Sequence, residues 1–272
     1  MILYPPAKIN LGLNILRKRE DGYHDIDTCM VEIPFTDILE VTKSESFKFL
    51  QTGITINGTG GTNLCEKAYQ LMRKEFKIGP VRIHLRKQIP IGAGLGGGSA
   101  DATYTLLALN QLFQLQLSFQ KLKELSSELG SDCPFFVEGL PQIAKGRGEV
   151  LTPVEKDLSD LYLVLLNPGI HVGTKEAYDG VSVGENAVAI EEIVQKPIDE
   201  WNGLLKNDFE TSVFLQHPNI QRLKELLYQS GAIYAAMSGS GSSVYGIFTE
   251  EKKLIDFHSP HIIYKGKFKN MR

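Results

Sequence analysis

Residues 90–102 read PIGAGLGGGSADA, and five of the seven positions from Gly92 to Gly98 are glycine. Glycine loses the most backbone freedom on folding and adds no side chain to a core, so such a run persists only where bare backbone is needed. Alternation of Val81, Ile83 and Leu85 predicts a strand directly before it. Ala102, Leu106, Leu109 and Phe113, at spacings of four, three and four, predict a helix directly after it. A flexible linker is not normally bounded in this way. Glycines between a strand and a helix let backbone N–H groups turn towards an anion, and the helix N-terminus adds partial positive charge. The run therefore reads as a phosphate cradle. Ser99, at the helix start, offers its hydroxyl to a phosphate oxygen or to a phosphate-bound metal ion.

Familiar glycine loops fit less well. GAGLGG at 92–97 matches G-x-G-x-x-G, but a dinucleotide site wants an acidic residue about 20 positions on, at the end of a second strand. The corresponding stretch, QLQLSFQK from Gln114, holds no acid, and the next is Glu124. The chain contains no Gly-Lys-Ser/Thr of a Walker A loop. The His-Arg-Asp and Asp-Phe-Gly signatures of protein kinases are missing too.

The remaining sequence sets the frame for this loop. A chain of 272 residues accommodates one large domain or two smaller ones. A formal net charge of −3 argues against a nucleic-acid partner, which would call for a basic domain. Cys29, Cys65 and Cys133 are too scattered for a disulfide framework or a metal knuckle, which favours a reducing compartment. MILYPPAKIN shows no signal-peptide pattern, and LYLVLL at 161–166 is far shorter than the ~20 residues of a membrane span. A soluble cytoplasmic protein without a membrane partner is expected, with LYLVLL as a buried strand.

Helices are predicted over 62–76, capped by Thr62 or Asn63, and from Ser118 to Gly130 with Phe119, Leu122, Leu125 and Leu129 inward. A further helix is expected in HPNIQRLKELLYQSG, ended by Gly231, and a strand in SSVYGIF. TPVEKDLSD at 152–160 suits a connector, giving domains at 1–152 and 153–272. Strands and helices are interspersed without strict alternation, so the fold class is α+β. The basic tail KGKFKNMR is expected to be solvated.

Several polar islands carry less specific signals. Lys8 and Asn10 fall on one face of a strand-like run, although a lone strand lysine is more often a solvated edge residue. Asp21-Gly22 marks a turn before Tyr23 and His24, which on their own suit an ordinary loop. Asp132, in ELGSDCPFF, has the look of a turn cap. Thr174, Lys175 and Tyr178 follow the buried strand, where a turn into a helix is the plain alternative. MSGSGSSVYGIF at 237–248 is a second glycine-serine loop, either a tight connection or a second wall for a polyphosphate.

Taken in order, PPAKINLGLNI, REDGYHDIDT, PIGAGLGGGSADA, GSDCPFF and MSGSGSSVYGIF resemble the motifs of the GHMP small-molecule kinases. They span residues 5 to 248. The Ala-Lys-Ile-Asn start, the Asp-Gly-Tyr-His turn and the glycines before Ser99 are most similar to the branch acting on a cytidylated methylerythritol. The resemblance implies a two-domain α+β fold, its first half like ribosomal protein S5 domain 2, with the active site in the cleft between the halves. It implies ATP-dependent phosphorylation of the 2-hydroxyl of that alcohol, a step of non-mevalonate isoprenoid precursor synthesis. Homoserine, mevalonate or another small alcohol is the alternative acceptor. A monomer or weak homodimer is expected.

Residue by residue, the resemblance makes Asp132 the catalytic aspartate and Lys8 the lysine that keeps it ionised and offsets charge on the transferring group. Pro90, Ile91, Gly92, Ala93, Gly94, Leu95, Gly96, Gly97, Gly98, Ser99 and Ala100 match the ATP-binding loop. Asn10, Tyr23 and His24 match positions that hold the cytidine end and the substrate hydroxyls, with Tyr23 stacking on the base and His24 reading its edge. Thr174 and Tyr178 match further substrate contacts. Mg²⁺ would bridge the phosphates, with Ser99 as its protein ligand.

Overall fold

The computed structural model describes residues 1–54, 62–181 and 188–268. Its contacts divide into two compact units. The first comprises Met1–Ala7, Phe35–Ile91 and Gly96–Gly139, and the second Lys8–Pro34, Gly92–Leu95 and Leu140–Arg272. Among the described residues, no helix is long and apolar enough to cross a membrane.

In the first unit a four-stranded sheet runs in the order β1 (Ile2–Leu3), β4 (Ile38–Lys43), β6 (Val81–Lys87), β5 (Lys48–Gly53). β5 is parallel to β6, and the other pairs are antiparallel. β6 alternates as the sequence predicts: Val81, Ile83, Leu85 and Lys87 are buried, with more exposed residues between them. Among the described residues, four helices complete the unit: α1 (Leu64–Phe76), α2 (Gly97–Leu112), α3 (Phe119–Ser127) and α4 (Phe135–Glu138). Tyr69 and Met72 of α1 join Leu106 and Leu109 of α2 in one apolar core with the β6 face.

α1 starts where predicted. Asn63 accepts a hydrogen bond from the Cys65 N–H at 2.8 Å, and Glu66 accepts one from the Asn63 N–H at 3.2 Å. This reciprocal pair satisfies two of the amides that a helix start leaves open. α3 departs from expectation. Leu122 and Leu125 are buried, but Phe119 is 55% exposed, and the helix stops at Ser127, short of Leu129. Side chains tilt towards a helix N-terminus, so at the first helical position Phe119 points off the end of the packed face.

Among the described residues, the second unit holds two sheets. One is β2 (Pro6–Lys18), β3 (His24–Thr36), β7 (Gln142–Gly146), β8 (Val150–Pro153); the other is β10 (Tyr234–Met237), β11 (Val244–Phe248), β9 (Tyr162–Leu166), β12 (Ile262–Lys267). Short helices α5 (Thr174–Asp179) and α6 (Ile190–Val194) precede α7 (Phe209–Gln216), α8 (Pro218–Gln229) and α9 (Glu251–Ile255). Val164, Leu166, Phe209, Val213, Leu227 and Phe248 form its core.

The boundary expected at 152/153 falls inside β8, which pairs with β7. Early strands β2 and β3 share that sheet, so contacts do not divide where composition shifts. The basic tail is also only partly solvated. Lys265 to Lys267 pair with β9 and Phe268 is buried, while residues 269–272 lie outside the described residues.

Asn63→Ala removes the α1 cap and is expected to lower stability by about 1 kcal/mol in urea unfolding. An unchanged midpoint would show that the cap contributes nothing.

Candidate active site

In the first unit, the glycine run ends where α2 begins. Gly96 occupies the N-cap position with φ 67°, a left-handed conformation. Gly97 follows in tight quarters: a Cβ there would lie 2.8 Å from both Lys87 Nζ and Ile89 Cγ2. No side chain caps α2 and its first turn carries no acid, so the initial amides keep their donors and the positive helix end is not offset. Ser99 lies in this first turn beside the Cys133 thiol. Burial pushes that thiol up to about 11, Ser99 opposes the shift, and the charge of Asp132 adds to it. Thr103 Oγ1 donates to the Cys133 carbonyl at 2.8 Å. The turn holding Asp132 is thus tied to α2, and Cys133 is the common neighbour of the predicted Ser99 and Asp132.

In the second unit, residues 92–95 of the same run lie along the second glycine-serine loop. Gly94, with φ 76°, is indispensable: a Cβ there would sit 1.9 Å from the Ser238 carbonyl oxygen. Ser238 Oγ donates to the Gly94 carbonyl at 2.9 Å, and the Ser243 N–H donates to the Ala93 carbonyl at 3.2 Å. The Lys8 N–H reaches the Leu95 carbonyl at 2.9 Å.

Lys8 is not the solvated edge residue that a lone strand lysine suggests; only 4% of it is exposed. Its ammonium donates to Asn10 Oδ1 at 2.5 Å, and Asn10 Nδ2 donates to Thr28 Oγ1 at 3.0 Å. Tyr245 Oη donates to the Asn10 carbonyl at 2.7 Å. The period-2 reading of Lys8 and Asn10 is therefore correct, and the network fixes both side chains.

The Asp21-Gly22 turn forms as expected, with the Arg19 N–H on the Tyr23 carbonyl at 2.8 Å and Gly22 at φ 84°. Arg19 hydrogen-bonds both Asp21 and Asp25 and holds their carboxyls below the usual range. Tyr23 is exposed, with the Arg147 guanidinium 5.0 Å above its ring. His24 stacks on Tyr178, ring centroids 4.6 Å apart and 19° from parallel. Burial, then the charge of Lys18, lowers the His24 pKa, with Asp179 opposing. Thr174 is exposed one turn before Tyr178 on α5. The structure thus brings His24 and Tyr178 together, with Thr174 one helical turn from Tyr178 on the same face of α5.

Thr28 and Tyr245 lie within quoted motifs without being singled out there, and Asn207 lies in none. Asn207 Nδ2 donates to the Met237 and Gly239 carbonyls, both at 2.8 Å, and so shapes the SGSG loop. Its partners are 30 and 32 residues away, and Asn10 and Tyr245 stand 235 residues apart. Among the described residues, no group of three or more His, Cys, Asp or Glu side chains could hold a metal ion alone. The Ser99 hydroxyl is a hard oxygen donor of the kind that suits Mg²⁺ when phosphates supply the remaining ligands.

The family model "GHMP kinases N terminal domain" matches residues 63–139, and "GHMP kinases C terminal" matches 189–257. A crystal structure of homoserine kinase from Cytophaga hutchinsonii shares the fold, with TM-score 0.69 and 17% identity over 93% of this chain and 86% of that one. The two family models thus define the class, a GHMP-type small-molecule kinase. The 4-diphosphocytidyl-2-C-methyl-D-erythritol kinase of Cytophaga hutchinsonii is 46% identical over 263 residues, 96% of this chain and 97% of its own. A crystal structure of 4-(cytidine 5'-diphospho)-2C-methyl-D-erythritol kinase superposes with TM-score 0.79 at 33% identity, covering 93% and 92% of the two chains. The chain belongs to the family of 4-diphosphocytidyl-2-C-methyl-D-erythritol kinases within the GHMP kinases.

The His24 imidazole is expected to titrate below 6.5, its ordinary value, and to stay neutral at pH 7. NMR titration checks this, and Lys18→Met should raise the midpoint. A midpoint at or above 6.5 would contradict the packing against Tyr178.

Proposed function

We propose that this protein transfers the γ-phosphoryl group of ATP to the 2-hydroxyl of 4-diphosphocytidyl-2-C-methyl-D-erythritol, within isoprenoid precursor synthesis. The observation that carries the reading is the glycine run between β6 and α2, in a chain 46% identical to a kinase of that name over nearly its full length.

Phosphoryl transfer asks the protein mainly for positioning and charge stabilisation. Residues 90–100 bind the ATP phosphates: the uncapped amides of α2 donate to the phosphate oxygens, and the positive helix end favours their charge. Asp132 accepts the proton of the attacking hydroxyl or orients that hydroxyl. Lys8, fixed by Asn10, supplies positive charge to the transferring group. Ser99 would hold Mg²⁺, which neutralises phosphate charge when bound.

The substrate end is assigned to Asn10, Tyr23, His24, Thr174 and Tyr178. A neutral His24 both donates and accepts a hydrogen bond, which suits reading a base edge. The stack of His24 on Tyr178 adds a second aromatic surface to the one that Tyr23 offers. A site that hydrogen-bonds the base discriminates strongly against acceptors lacking it.

Asp132→Asn should reduce kcat by about 10²–10⁴-fold with the circular dichroism unchanged. Turnover near the wild-type rate would remove Asp132 from the reaction. Tyr178→Ala should raise the KM of the cytidylated alcohol and leave that of ATP alone. A change in the ATP KM only would refute this assignment.

A further inference from the structure

The ATP loop has a support that no motif marks. Lys87 ends β6, Asp37 sits between β3 and β4, and Asp101 lies on the second turn of α2. All three are buried, with Lys87 at 3%, Asp37 at 0% and Asp101 at 2% exposure. The Lys87 ammonium binds Asp37 Oδ2 and, at 2.7 Å, Asp101 Oδ2. Asp37 Oδ1 accepts from the Gln88 and Ile89 N–H groups, the latter at 2.9 Å. Gly97 leaves the space for this arrangement, since a Cβ there would meet Lys87 Nζ at 2.8 Å.

The cluster therefore grips both ends of the glycine run. Asp37 fixes the backbone that enters it at 88–89, and Lys87 fixes the helix that leaves it through Asp101. We propose that Lys87, Asp37 and Asp101 act as positioning residues for ATP, holding the start of α2 and the entry of the loop in the register that presents the loop amides to phosphate. This rests on the reading that the glycine run binds ATP.

The three buried charges compensate one another unequally. Burial pulls the Lys87 ammonium down, but Asp101 and Asp37 outweigh it and leave it above its ordinary value. Burial pushes Asp101 up to about 7, with Lys87 opposing and Asp37 adding. An asparagine at 101 keeps the shape and one oxygen for Lys87, whereas a leucine keeps only the volume.

Steady-state kinetics on wild type, Lys87→Met, Asp101→Asn and Asp101→Leu, each checked by circular dichroism, tests the proposal. Lys87→Met and Asp101→Leu should raise the ATP KM about tenfold or more, because small misplacements of binding groups are costly. The KM of the cytidylated alcohol should stay within about twofold, and Asp101→Asn should keep an ATP KM close to wild type, since it preserves the hydrogen bond. Folded Lys87→Met with an unchanged ATP KM overturns the proposal, as do equal changes in both KM values. If Lys87→Met does not fold, the Asn-against-Leu contrast at 101 decides, and equal ATP KM values there count against the cluster. Failure of wild type to saturate with ATP would instead remove the phosphate-loop reading, and this proposal with it.

Discussion

A loop made of glycine cannot hold itself in shape. It has few side chains to pack, and each glycine widens the range of conformations the loop must give up on folding. Its geometry has to be imposed from outside, and most of the polar network described above serves that end. Ser238 and Ser243 hydrogen-bond the carbonyls of Gly94 and Ala93. The Lys87 cluster fixes the entry at 88–89 and the first turns of α2. The glycines allow backbone to approach backbone, as at Gly94 against the Ser238 carbonyl, and the surrounding polar groups choose one arrangement from the many allowed.

The same logic explains why charged and polar groups are buried around the loop. Buried lysine or aspartate is unfavourable unless paired and hydrogen-bonded. Lys87 has two carboxylate partners, and one of them also caps two backbone amides. Lys8 has Asn10, which is itself held through Thr28 and Tyr245. These groups confer a specific geometry on the loop and on Lys8 that an apolar core would not specify.

Local features of this architecture were legible in the sequence. The β6 alternation, the Asn63 cap, the start of α3 at Ser118, the buried strand at 162–166 and the turn at Asp21-Gly22 each depend on residues a few positions apart, and period and cap chemistry report them directly. Long-range pairing was not legible. Lys87 meets Asp37 across 50 residues and Asn10 meets Ser238 across 228. No spacing rule encodes such partners, so Lys8 in isolation resembled a surface residue and nothing singled out Asp101. The interleaving of the two contact units was not legible either, because the pairing of β7 with β3 joins residues far apart in the chain. Phe119 missed for a local reason: it has the right period but stands at the end of its helix.

The central claim is the acceptor alcohol. Phosphate-loop geometry is shared by kinases of different substrates, whereas the stack of His24 on Tyr178 bears on one. The most direct measurement follows ATP-dependent product formation by ³¹P NMR with 4-diphosphocytidyl-2-C-methyl-D-erythritol, mevalonate and homoserine in parallel. Phosphorylation of the cytidylated alcohol alone, at its 2-hydroxyl, is the predicted result. Equal or faster phosphorylation of mevalonate or homoserine would contradict the account.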